Sequence, residues 1–443
     1  MVSFGWQADV DTGHRGRNDR RQVRSVSRNH GRLWLCLAAF VATGQGVAAQ
    51  VDQQRAAAYF ADVTRLCEGE GGQLWGISLC GPIALIDAAT KSMATSQPAP
   101  PIAAPAVFGF ANSALDWGGT RWTTVVWGMI PENDVQARRR LLVHELFHRI
   151  QPQLRLQVNE LQNPHLDTLD GRYWLQLEWR ALADALRVRE PMRTPALRDA
   201  LGFRAKRHQV FPGSAEAERR AEINEGLAQY TGTVVAASSS DTATADAVAQ
   251  LIRAASEPTF VRTFAYPAGA AYGLLLDAWS PGWTRQFTDE DDLAQRLALV
   301  VRIQPTVDVD TAAGRYDGAA LRLTEEKRDV DQKSRVVELR RTFVDGPVLL
   351  MPRANNASFV TVGVTPLPGA GTIMPSYRVT AEWGTLEADR VLVSDDRTTI
   401  AVPAPMVVAG GIIEGKGWTL RLASGWILGD GPRQGDYSVV RKP

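Results

Sequence analysis

Six histidines occur in the 443-residue chain, and two of them flank a short polar-apolar run, His144-Glu145-Leu146-Phe147-His148. On an α-helix, positions i and i+4 lie one above the other on the same face. Two imidazoles so placed can bind one Zn²⁺ from the same side. Glu145 sits one position on, about 100° round the helix. From there it can act as general base towards a water beside the metal without being a ligand itself. The chemistry implied is metal-assisted hydrolysis. A catalytic zinc takes three protein ligands and leaves a fourth position open, so a third donor must come from elsewhere in the chain.

The elements around this motif follow from local pattern. Asn133 or Asp134 can cap a helix over the motif, and Leu142, Leu146 and Ile150 give it an apolar face roughly opposite the histidines. Residues 121–130, RWTTVVWGMI, carry the β-branched and aromatic side chains of a strand that runs straight into this helix. A strand so close can hold an extended substrate by backbone pairing. The three arginines at 138–140 read as a solvated helix turn. Residues 51–66 read as a helix, 73–88 as strands with a turn at Cys80-Gly81-Pro82, 97–106 as an extended linker and 107–110 as another strand. Helices are expected at 171–189, 195–208, 215–237, 243–256, 268–279 and 317–343. From Val344 the texture changes to short β-rich runs at 348–351, 359–364, 377–382, 390–393, 398–402 and 418–422, divided by Gly/Pro turns. That is the pattern of a small antiparallel sandwich or barrel.

Hydrophobic residues make up 45% and charged residues 22% of the chain, ordinary values for a globular protein. The net charge of +1 is unevenly spread: residues 1–49 hold seven Arg and three Asp, a net of +4, and the remainder is −3. Nothing in that remainder points to nucleic acid. The basic segment precedes an apolar run at 33–42 and the small residues Val47-Ala48-Ala49, the layout of a secretory signal peptide cleaved near Ala49. The run is too short to span a bilayer, and no later stretch is long and apolar enough. The protein is expected to be exported, periplasmic or secreted, with no membrane span after cleavage. Cys67 and Cys80 then remain, and in an oxidising compartment they are expected to pair. The sequence carries no indication of oligomeric state.

The third ligand has to be found among distant carboxylates. His165 and His208 have no supporting motif and read as surface residues. Glu225 lies in Ile223-Asn224-Glu225-Gly226-Leu227-Ala228-Gln229-Tyr230. With H-E-x-x-H upstream, this segment resembles the gluzincin metallopeptidases of the thermolysin-like superfamily, most closely the aminopeptidase-N-type branch. There N-E-G-F/L-A-x-Y follows on a second helix and its glutamate binds zinc. The resemblance implies His144, His148 and Glu225 as ligands of one Zn²⁺ and Glu145 as general base. Tyr266-Pro-Ala-Gly269-Ala-Ala-Tyr272 resembles the Y-x-K-G-x-x-x-L segment of the same branch. This implies the Tyr266 hydroxyl as donor to the tetrahedral oxyanion, with Tyr272 the fallback. The G-x-M-E-N segment that grips a free amine in aminopeptidases is absent, so the implied activity is zinc hydrolysis without aminopeptidase specificity. Three other carboxylates compete for the ligand position. Asp170 sits in Thr168-Leu-Asp170-Gly-Arg-Tyr173, which fits the T-x-D-x-x-Y of aspzincin peptidases; Glu178 lies in an amphipathic helix; Glu222 is one turn before Glu225 and can instead orient a histidine.

The expected fold class is α+β. A zincin-like catalytic domain at 50–343, a small sheet plus a mainly helical part with a helical insert at about 160–210, precedes a sandwich-like all-β accessory domain at 344–443. The expected function is an exported zinc metallopeptidase acting on a peptide or protein. The alternative is an inactive binding or structural protein that keeps the same scaffold and works through its β domain.

Overall fold

The computed structural model describes residues 50–443 apart from 110, 157–158, 160, 355–356 and 360–362. The signal peptide expected at 1–49 and part of the strand expected at 359–364 lie outside the described residues. The chain is α+β, with a small mixed sheet, a helical middle and a curled C-terminal sheet.

Helix α1 (Gln53–Glu70) leads into β1 (Ile83–Ile86), β2 (Met93–Thr95), β3 (Ser113–Trp117) and β4 (Thr120–Val126), ordered β2-β1-β4-β3. β1 and β4 run parallel and the other pairs antiparallel. β4 alternates as a strand must. Trp122 packs with Phe108 and Trp117 on one face, while Thr123 turns to the other and reaches the Glu145 carbonyl at 3.4 Å. The strands expected at 73–88 begin only at Ile83: residues 73–77 are turn and bend, with Gly76 in the left-handed region at φ 79°, and 78–82 belong to no strand. Residues 106–109 are likewise a turn.

Helix α2 (Val135–Ile150) carries the histidines. Asp134 caps it by accepting from the Ala137 N–H. Most of its second half is buried, Leu142, Val143, Leu146, Phe147 and Ile150 among the core and His144 and Glu145 with them, while His148 and Arg149 are part-buried. The Arg138–140 turn is not merely solvated. Arg139 grips Asp62 of α1 at 2.7 and 2.8 Å, Arg138 lies over the Tyr59 ring, and Arg140 pairs with Asp246.

The helical middle comprises α3 (Leu169–Arg187), α4 (Arg193–Val210), α5 (Ser214–Ala221), α6 (Leu227–Ala236), α7 (Ser240–Ala254), α8 (Ala265–Trp279), α9 (Leu293–Val301), α10 (Val309–Gly314) and α11 (Gly318–Arg340). α3 and α4, which fill the interval between His148 and Glu225, share one core with α2, α6 and α8. The single helix expected at 215–237 is interrupted by a five-residue π-turn, Glu222–Gly226. Such a turn inserts an extra residue and re-aims the side chains on it. Gly226 closes the packing here: a Cβ on the facing Gly269 of α8 would lie 2.2 Å from the Gly226 Cα. Two bare glycines therefore let α8 approach the π-turn directly.

The C-terminal strands are β5 (Val348–Pro352), β6 (Thr365–Leu367), β7 (Gly371–Ala381), β8 (Gly384–Ser394), β9 (Thr399–Pro403), β10 (Pro405–Ala409), β11 (Ile412–Gly415), β12 (Trp418–Leu422), β13 (Trp426–Asp430) and β14 (Tyr437–Arg441). They form one strongly curled half-barrel sheet, nearer the barrel than the sandwich-like layering of the two arrangements expected. β8 is the reason. β7 occupies one edge of it, while the other edge takes β12 along 384–388 and β9 along 392–393. Both halves are thus hydrogen-bonded through one strand and cannot separate into layers. Leu339 of α11 and Phe343 pack on Val348, Leu367 and Ile373 of this sheet.

Cys67 of α1 is bonded to Cys80, with Cα atoms 5.2 Å apart. Arg149 at the end of α2 donates to the carbonyls of Leu79 and Cys80, at 3.0 and 2.7 Å, fixing the bridged segment against the histidine helix. No described helix is long and apolar enough to cross a membrane. A bridge closing a loop of this size stabilises by about 3 kcal/mol. Reduction is expected to lower the urea midpoint accordingly; an unchanged midpoint would contradict this.

Candidate metal centre

α2 and the π-turn bring three donors together. Nε2 of His144 lies 3.1 Å from Nε2 of His148 and 3.2 Å from Oε2 of Glu225. His148 Nε2 is 3.6 Å from the same oxygen. Tetrahedral zinc with N and O ligands at ordinary lengths separates its donors by about 3.4 Å. The triangle therefore has the dimensions of three corners of such a site.

The far sides of the rings are held by amides. His144 Nδ1 is 3.0 Å from Gln229 Oε1, and His148 Nδ1 is 2.9 Å from Gln151 Oε1. The amide orientations are set by their own partners. Gln229 Nε2 donates to Gln250 Oε1 at 2.6 Å, and Gln151 Nε2 donates to the carbonyls of Leu156 and Ile223. The oxygens must then face the imidazoles, so each Nδ1 carries a proton and each Nε2 presents a lone pair. Asn224 Nδ2 donates to Glu225 Oε1 at 3.3 Å and leaves Oε2 turned inward. Three lone pairs converge with no hydrogen between them, a donor set that a cation fits.

Without a cation the group must attract a proton. Burial disfavours charge on His148, but the hydrogen bond and charge of Glu225 outweigh it and push its pKa up to about 9. Burial likewise opposes charge on Glu225, and the two imidazoles overcome it to hold the carboxyl far below the usual range. Glu145 is 5% exposed and is not one of the three donors. Burial raises its pKa, with Glu225 adding to the shift and His144, His148 and a hydrogen bond from Asn112 opposing it. Asn112 Oδ1 accepts from the Val126 N–H at 2.9 Å, which anchors that amide to β4.

The Tyr266 ring stacks on His144, centroids 5.4 Å apart and planes within 5°. The Gly226–Gly269 contact is what lets α8 carry it there. Tyr272 is elsewhere: it is fully buried and its hydroxyl donates to Glu178 Oε1 at 2.7 Å. The competing carboxylates are also committed away from the histidines. Asp170 pairs with Arg322, Glu178 with Arg204 and Arg207, and Glu222 with both terminal nitrogens of Arg204. His165 and His208 are not free surface residues. Both bond Glu218, at 2.7 and 3.0 Å. Gln151, Gln229 and Asn112 were missed by motif reading. Gln229 sits one turn beyond Glu225 and Gln151 nearly one turn beyond His148, spacings that carry the signal.

The centre opens on a cleft of about 440 Å³ whose lining includes Asn112, Ser113, Arg121, Asn159 and Asn224. A larger cleft of about 810 Å³ between α3, α7 and α8 contains none of these groups. β4 is paired on both edges, by β1 and β3, so it cannot take up a further strand; among the described residues β3 pairs only with β4. Comparison with protein-family models, curated proteins and solved structures finds no match to this chain.

Proposed function

We propose that the chain is an exported zinc-dependent hydrolase of peptide bonds, with the gluzincin arrangement that its H-E-x-x-H and N-E-G segments resemble. The observation that carries this reading is the convergence of His144, His148 and Glu225 on one point, with Glu145 buried beside it but outside the donor set. Zinc held by these three residues supplies Lewis acidity and brings the pKa of a water towards neutrality. The chain's own groups do the rest. Gln151 and Gln229 orient the imidazoles through Nδ1. Glu145 accepts the water's proton on its carboxylate and returns it to the leaving amine nitrogen, a double duty that suits a carboxyl raised by burial. Tyr266 donates its phenol hydroxyl to the oxyanion. The open edge of β3 pairs with the backbone of an extended peptide. The disulfide and the leader-like N-terminus favour an oxidising compartment outside the cytoplasm.

The test is zinc content by elemental analysis, followed by cleavage of a peptide library. Wild type is expected to hold one zinc per chain and to lose cleavage with a chelator. Glu225→Ala is expected to lose zinc by at least about tenfold in affinity, and Asp170→Ala to keep it. A wild type without zinc, or a zinc site destroyed by Asp170→Ala alone, would overturn the reading.

A further inference from the structure

The cleft over the metal centre is polar, and one of its groups has no task in the chemistry above. Arg121 lies on β4 and shares a strand face with Thr123, the face that looks towards α2. Apart from His148 and Glu225, the described lining of the cleft is neutral except for Arg121. Other arginines around α2 are committed: Arg139 to Asp62, Arg140 to Asp246, Arg149 to backbone carbonyls. Arg121 is not held in this way. Among the described residues the carboxylate it pairs with is Asp116, its cross-strand partner on β3, at 3.6 Å. That is beyond the length of a charge-assisted hydrogen bond. The Asp116 side chain is also 74% exposed, and the Arg121 side chain 32%. Exposed pairs of this sort bind weakly. Meanwhile the Arg121 Nε is shielded from solvent and has no hydrogen-bond partner among the described residues. A guanidinium with donors to spare, at the wall of a cleft whose described lining beyond His148 and Glu225 is neutral, is built to receive a carboxylate.

We propose that Arg121 is a specificity-determining residue that binds a carboxylate of the peptide lying in the cleft. The inference rests on the peptidase reading. Two sources supply that group, an acidic side chain within the peptide and the peptide's own C-terminus. The weak Asp116 contact is the placeholder that the incoming carboxylate displaces.

The test separates the two sources and does not depend on turnover. Zinc-loaded Glu145→Gln protein is titrated with fluorescent blocked hexapeptides in matched pairs. One set carries Glu or Gln at each internal position in turn; the other ends in a free acid or an amide. The acid member of at least one pair is expected to bind about tenfold more tightly, with the advantage fading at high salt. Arg121→Gln in the same background is expected to bring the two members within about twofold, Arg121→Lys to keep part of the difference, and Asp116→Asn to widen it. Equal affinity within every pair, no binding of either member, or a preference that survives Arg121→Gln overturns the role of Arg121. Wild-type protein that cleaves these peptides without acid preference overturns it as well and leaves the peptidase reading standing. Wild type that discriminates in binding yet cleaves nothing overturns the peptidase reading and leaves carboxylate recognition at Arg121 standing.

Discussion

Glu145→Gln is expected to retain its zinc and to hydrolyse peptides about 10³-fold more slowly than wild type, with KM nearly unchanged. The expectation follows from where Glu145 stands. It is next to His144 in sequence yet outside the group of three donors, so removing its charge removes no ligand. Glutamine has the same shape and preserves the packing of a side chain that is 5% exposed. What glutamine lacks is a site that takes up a proton and gives it back. The loss should therefore fall on kcat, because ground-state contacts survive while proton transfer does not. Metal content and steady-state kinetics on one cleaved peptide decide the matter. A variant that sheds zinc would make Glu145 a structural part of the centre. A variant that keeps zinc and full activity would move the general base elsewhere.

The histidine helix was legible because everything it needs is local. Asp134, the i, i+4 histidines and the apolar Leu142, Leu146 and Ile150 all lie within one stretch, and the helix forms where they indicate. Glu225 is different. No periodicity links it to His148, and only the likeness of Asn224-Glu225-Gly226 to a known segment singled it out among Asp170, Glu178 and Glu222. The geometry that separates these four comes from partners far along the chain, Arg322 for Asp170 and Arg204 for Glu222. His165 and His208 were misread for the same reason, since the partner that ties both down is Glu218 of α5. The π-turn was hidden because nothing in Glu222-Ile-Asn-Glu-Gly226 separates an inserted residue from a continuing α-helix; the interruption shows only against the facing Gly269. In the C-terminal region, alternation marked several strands but not their neighbours. Alternation says which face is buried, not which strand lies alongside, so the sharing of one β8 edge between β12 and β9 could not be read.

Glu218→Gln is expected to cost about 3 kcal/mol of stability at neutral pH, although residue 218 touches no metal ligand. Glu218 is fully buried, and its two oxygens accept from Arg207 at 2.9 and 2.6 Å, from His165 at 2.7 Å and from His208 at 3.0 Å. Arg207 is itself fully buried and turns its remaining nitrogen to Glu178 at 2.6 Å. A glutamine offers one acceptor where the carboxylate offers two, and sets an NH₂ against donors. The guanidinium would stay buried with half its compensation gone, which is the costly way to break such a pair. The pH dependence has a definite sign. Burial alone would raise the Glu218 pKa, but Arg207 and the two imidazoles outweigh it and hold the carboxyl well below the usual range. A depressed carboxyl contributes stability that is fully present above its ordinary pKa, about 4.3, and is lost as pH falls through the folded value. The gap between wild type and Glu218→Gln in urea midpoint should thus be constant near neutrality and close only in acid. Glu222 gives the contrast. Its burial, with Asp292 and Glu178 nearby, pushes it up despite Arg204. A carboxyl that burial raises gains less from being an anion than one its partners depress, so Glu222→Gln should cost less than Glu218→Gln. The comparison bears on the centre because Glu222 opens the π-turn that ends in Glu225-Gly226, and Arg204 grips it with two bonds of 2.7 Å. The buried charges of α3, α4 and α5 thereby form the seat on which Glu225, the proposed third ligand, rests. Equal midpoints for Glu218→Gln and wild type, or a gap widest in acid, would show that the seat is held by packing instead.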